Sequence, residues 1–124
     1  MLKAPLDPTP YPPDSRSQPL YAGLADGLYV YVQAADGVVW VLPDGPHLHP
    51  KVLGGGEPAL YAGDLTVVGG IVRDLTNLSG TFQFDDPAGL MGVAQQLALQ
   101  GLRLAPGAVR FFDWDGLHPP LILQ

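Results

Sequence analysis

His47 and His49 stand two apart, so an extended backbone would turn both imidazoles to one side, as the start of a metal site requires. A divalent ion needs more ligands than two. Asp44, Glu57 or Asp64 would have to supply them, because the remaining histidine, His118, lies near the C-terminus. One histidine bonded to a backbone carbonyl and the other exposed is the commoner arrangement for such a pair, and no metal or cofactor is implied. A different chemistry joins His49 as general acid or base to Asp64, which would orient it or stabilise a cation. Ser79 or Thr81 would then be nucleophile or oxyanion donor. These residues also have quieter uses. Ser79 and Asn77 are what a turn selects, and Asp64 at a strand start can cap a loop. Tyr29, Tyr31 and Trp40 form an aromatic set that could bind a ring or a partner protein, although core packing is the commoner use of such side chains.

The elements that must position these groups are mostly strands. From Tyr61 to Phe84, apolar Leu65, Val67, Ile71 and Leu75 flank Gly69-Gly70, a dipeptide that accepts positive φ and favours a two-residue hairpin loop. Asn77, Ser79 and Gly80 interrupt the run, and Thr81 to Phe84 resumes it with strict alternation, which predicts a three-stranded meander. Leu28 to Leu42 has β-branched and aromatic residues on both sides of Ala35-Asp36-Gly37, a second hairpin. Both faces of its strands are apolar, the pattern of a sandwiched or interface strand. One helix is predicted over Pro87 to Gln100, with Asp86 as N-cap, Pro87 at the first helical position and Gly101 as terminator. Leu90, Val93, Ala94, Leu97 and Ala98 make its apolar stripe, and Gly89 and Gly92 weaken it by about 1 kcal/mol each relative to Ala. Ala108 to Trp114 reads as a last strand.

Composition narrows the function classes. The 124 residues suit one domain, and 47% hydrophobic content suits a packed core. Gly 16 and Pro 14, nearly a quarter of the chain together, predict many turns and short elements. A net charge of −6 with six Lys+Arg gives no basic surface for phosphates, so neither nucleic acid nor an anionic membrane is an expected partner. A basic partner protein fits better. Zero cysteines exclude a disulfide framework. No apolar run is long enough to span a bilayer and no Sec-type signal is legible, so a cytoplasmic location, or export by another route, is expected.

Residues 1–19 hold six prolines and read as an extended or disordered arm that cannot enter a central sheet. It is a solvated tail, a ligand for an aromatic groove, or a clasp on a second subunit. Gly54-Gly55-Gly56 does not sit between a strand and a helix as a phosphate loop would. The end, residues 117–124, is an apolar peptide after two prolines, expected to dock on the domain at 20–116 or on a neighbouring subunit, where it could support a homo-oligomer.

Across about residues 28–112 the motif order resembles a module found at the C-termini of large bacterial proteins of the polymorphic-toxin type, in small stand-alone bacterial proteins and in plant IQ-motif calmodulin-binding proteins. Asp36-Gly37 with Trp40 resembles its first hairpin, and His49-Pro50-Lys51-Val52-Leu53-Gly54-Gly55 its HSSFLAG. Pro58 with Ala62-Gly63-Asp64 resembles its P…AGE, and Leu97 to Leu102 its helix end. Asn77-Leu78-Ser79-Gly80-Thr81-Phe82 resembles its N-x-SGHY. Thr81 and Phe82 stand where the family has His and Tyr, which removes an imidazole and a phenol. Pro50 and Lys51 likewise replace two serines.

The expected fold is α+β, an antiparallel and strongly curved sheet of about six or seven short strands, a half-barrel, with one helix packed on it. The expected function, which the resemblance helps to imply, is an interaction domain of a bacterial toxin, effector or secretion-associated system. It would meet a protein partner through an acidic and aromatic surface. The alternatives are a small enzyme on a nucleotide-like substrate using His49, Asp64 and Ser79, and a structural or assembly protein.

Overall fold

A computed structural model describes residues 18–21, 23–43, 59–77, 86–112 and 121–123. Its elements are β1 (Gln18–Pro19), β2 (Gly27–Gln33), β3 (Val39–Pro43), β4 (Tyr61–Val68), β5 (Ile71–Thr76), α1 (Pro87–Leu99), β6 (Arg103–Leu104), β7 (Val109–Phe111) and β8 (Leu121–Ile122). The described residues are mostly β-sheet with one helix, an α+β arrangement.

Both hairpins form where the turn residues place them. β2 and β3 pair from Gln33↔Val39 to Tyr29↔Pro43, and the loop closes with the Gly37 N–H donating to the Ala34 carbonyl at 2.9 Å. Asp36 Oδ1 accepts from the Val38 N–H at 3.0 Å, the side-chain-to-backbone bond that makes Asp a turn former. In the second hairpin Val68 pairs with Ile71, and Gly69 and Gly70 take φ of 63° and 74°, a conformation that costs a residue with a Cβ. The ladder shifts register after Thr66↔Asp74, leaving Arg73 as an unpaired bulge residue.

The sheet is open and runs β1-β3-β2-β4-β5-β7-β8, with β6 also on β5. Among the described residues eight strands form where about six or seven were expected, and the sheet is mixed rather than antiparallel. Arg103–Leu104 and Val109–Phe111 lie in succession along the outer edge of β5, both parallel to it. A parallel neighbour needs a crossover connection, and α1 lies in the one that links β5 to β6. Sequence periodicity showed the helix but not this role for it.

The helix begins and ends as its capping residues dictate. Asp86 Oδ2 accepts from the Gly89 N–H at 3.1 Å. At the other end the Leu102 N–H reaches the Leu97 carbonyl at 3.1 Å and the Gly101 N–H the Ala98 carbonyl at 3.0 Å, a Schellman closure with Gly101 at φ 90°. Leu90, Val93, Ala94 and Leu97 face the sheet and are buried, whereas Ala98 is exposed. Burial of each large apolar side chain contributes about 1.5–3 kcal/mol relative to exposure. The glycine at 89 has a packing reason. A Cβ there would lie 2.5 Å from the ring of Tyr61, whose hydroxyl donates to the Asp86 carbonyl at 2.9 Å. The helix's first turn is thus seated on the start of β4.

The two ends of the described chain form the sheet's edges. Gln18–Pro19 pairs with Val41 and Trp40, so the last two residues of the proline-rich arm do join the sheet, but at its margin, where a proline without a donor is tolerated. Leu121–Ile122 pairs antiparallel with Phe111 and Arg110, docking the apolar tail on its own domain. Of the strand expected over Ala108–Trp114, Val109–Phe111 forms, and Asp113 and Trp114 lie outside the described residues, as does the strand expected at Thr81–Phe84.

Candidate functional site

Asp64 occupies the middle of β4, half-buried, and its N–H donates to Thr76 Oγ1 at 3.2 Å. It belongs to a polar seam between β4 and β5. Tyr31, wholly buried on β2, donates its hydroxyl to the Thr76 carbonyl at 2.7 Å. Gly63 permits that approach, since a Cβ at this position would stand 1.8 Å from the Thr76 oxygen. Burial pushes the Tyr31 phenol well above its ordinary pKa, with Tyr61 and Asp64 adding to the rise. The seam ends at Asn77, also buried, whose amide donates to the Phe112 carbonyl at 2.9 Å and accepts from the Phe112 N–H at 2.7 Å. Asn77 thereby extends the β5–β7 pairing by one step with a side chain in place of a backbone.

His47, His49, Ser79 and Thr81 lie outside the described residues, as do Asp44, Glu57 and His118. The arrangement of His49 with Asp64 and a hydroxyl is therefore not part of the described structure. Among the described residues no group of three His, Cys, Asp or Glu is placed to hold a metal ion.

The aromatic set is not a surface. Tyr31 is 0% exposed and Tyr29 7%, and Trp40 is part-buried against the core. Alternation along β2 gave two apolar faces, and both are covered from Tyr29 to Val32, whereas Leu28 near the strand's start is 60% exposed. Tyr29 donates to the Ala25 carbonyl at 2.6 Å, and burial raises its pKa, with Tyr21 and Asp26 contributing.

Two other places are open. One is the outer edge of β8, where Leu121 and Ile122 are 56% and 53% exposed. The Leu123 N–H donates to the Val109 carbonyl at 2.9 Å, and with Phe111↔Leu121 in register this places Leu121 and Leu123 as the bonded positions. The alternation of an antiparallel ladder then turns the Ile122 N–H and C=O away from β7. The opposite edge is blunted by Pro19.

The second place is a cleft of about 260 Å³ between the β2–β3 loop and the last turns of α1, lined by Pro19, Leu20, Asp36 to Val39, Gln96 and Gln100. In the sequence Asp36 reads as a turn residue and the two glutamines as a solvated helix face. Gln96 and Gln100, four apart, are neighbours on one helix face, in a last turn without a basic residue, but nothing in the sequence joins that face to Asp36.

On the exposed face, Arg110 binds Asp74 through two bonds of 2.7 Å, Nε to Oδ1 and Nη2 to Oδ2, and its guanidinium lies 5.1 Å from the centre of the Phe112 ring. The carboxylate raises the Arg110 pKa. Burial opposes it slightly. Among the described residues no helix is long and apolar enough to cross a membrane. Comparison with protein-family models, curated proteins and solved structures finds no match for this chain.

Proposed function

We propose that this chain is a protein-interaction module that accepts an extended partner segment along β8, adding a strand to its sheet. The observation that carries the reading is the asymmetry of the two edges. β1 ends in a proline, whereas β8 offers the outward Ile122 amide and carbonyl beside the exposed side chains of Leu121 and Ile122. Strand addition draws affinity from such main-chain groups and specificity from the flanking side chains. The acidic balance of the chain favours a basic partner. The resemblance in motif order to polymorphic-toxin modules supports a setting in a bacterial toxin, effector or secretion-associated system. Acid and edge take over the role first expected of the aromatic residues.

The same edge admits a second copy when no dedicated partner is present, which makes it testable with the chain alone. Light scattering across a concentration series is expected to show a mass rising above 13.1 kDa. Deletion of residues 117–124 should abolish the rise. Ile122→Pro should do the same, since it removes the outward donor and leaves the bonds to β7 in place. A chain that stays monomeric throughout, or that associates equally well as Ile122→Pro, would overturn the reading.

A further inference from the structure

The cleft beside the β2–β3 loop lies by β1, at the edge of the sheet away from β8, and its lining is chemically lopsided. Pro19, Leu20, Val38 and Val39 supply apolar wall. Asp36 supplies a carboxylate, and Gln96 and Gln100 supply amides that can turn an oxygen toward a donor. Among the described residues that line it, none carries a positive charge. Asp36 Oδ1 is held by the Val38 N–H, so the carboxylate is fixed in direction by its own turn and Oδ2 has no partner among the described residues. The helix end beside it carries the negative pole of the backbone dipole and has no basic residue in its last turn. The one formal charge on the described lining is the Asp36 carboxylate, which favours a cation over an anion.

We infer that this cleft binds a primary ammonium group borne on a short methylene stem, the chemistry of a lysine side chain. The stem lies along Leu20, Val38 and Val39, as lysine stems commonly do on apolar surface, while the ammonium donates to Asp36 and to the glutamine oxygens. The cleft, of about 260 Å³, has room for a group of this size. The site is separate from the β8 edge, so each can fail while the other stands.

The test is a titration of the full chain, followed by amide chemical shifts, with n-butylammonium, with n-butanol as its uncharged counterpart, and with lysine blocked at both backbone ends. The two ammonium probes are expected to shift the Asp36, Val38, Gln96 and Gln100 amides, and butanol to bind at least about tenfold more weakly, as the loss of one charge-assisted hydrogen bond implies. Asp36→Asn keeps the acceptor for Val38 and the turn, and should weaken the ammonium probes by a similar factor. Gln100→Ala, on the exposed helix end, should weaken them less. Tighter binding of blocked lysine than of butylammonium assigns the site to a partner protein, and the reverse assigns it to a free amine; both support it. Equal binding of butanol and butylammonium, no shift at these amides, or affinity unchanged in Asp36→Asn would overturn the inference.

Discussion

Gly63 and Thr76 are in closer contact than any side chain would allow, the missing Cβ of the one falling 1.8 Å from the carbonyl oxygen of the other. Gly63→Ala must therefore push β4 and β5 apart, disturbing the Tyr31 hydrogen bond at the same oxygen. Overpacking against backbone costs about 1–3 kcal/mol or more, and this site is at the upper end. Urea denaturation should show a loss of about 3 kcal/mol with an unchanged m-value.

Tyr31→Phe separates the hydrogen bond from the packing. The ring keeps its place in the core, and only the donor to Thr76 is lost, for an expected cost of about 1–2 kcal/mol by the same assay. A neutral substitution would mean that the Thr76 carbonyl is satisfied without the phenol.

Asn77 makes two bonds to one residue, and both vanish in Asn77→Ala. Two part-buried backbone groups of Phe112 lose their partners, so a loss of about 1–3 kcal/mol is expected. Amide exchange at Phe112 should rise more than exchange at Val30 on β2, which a general softening of the fold would not produce.

Gly89→Ala sets two effects against each other. Helix propensity favours Ala by about 1 kcal/mol, but the new methyl would meet the buried Tyr61 ring at 2.5 Å, a clash of about 1–3 kcal/mol. The clash should win, giving a lower Tm. Gly92→Ala, where nothing stands within 4 Å, should raise it.

Asp26 titrates below its ordinary value because the amides of Gly69 and Gly70 hold its carboxylate, the latter at 3.2 Å. The unfolded chain, with the higher pKa, binds more protons in the interval between the two values, so folding stability rises with pH there. The contribution is complete above the unfolded value of about 4 and is lost as pH falls through the depressed folded value. Asp26→Asn should be less stable than the parent at pH 7, and the difference should close as pH falls through the depressed folded value in thermal melts.

Local chemistry is what the sequence states most clearly. Gly69-Gly70, Asp36-Gly37, Asp86-Pro87 and Gly101 each act on neighbours within a few residues, and each forms the turn or cap its type favours. Tyr29 and Tyr31 were ambiguous for a physical reason, since an apolar face looks the same in a sequence whether its cover comes from the same molecule or another. The parallel pairing of β6 and β7 was illegible because strands of two and three residues carry no period. Asp36, Gln96 and Gln100 come together only through the packing of the helix end against the hairpin, and no spacing along the chain records it.

The parallel seam along β5 has a consequence for synthesis. A nascent chain that has emerged through Thr76 can already close both hairpins, but the outer edge of β5 must wait for Arg103 and then Val109, and Asn77 for a partner 35 residues away. Contacts of such separation form slowly, and until they do an uncapped strand faces the surroundings of the ribosome. The charged pair of Asp74 and Arg73 on that strand lies at the exposed margin during this interval, discouraging the nascent edge from joining its neighbours on a polysome.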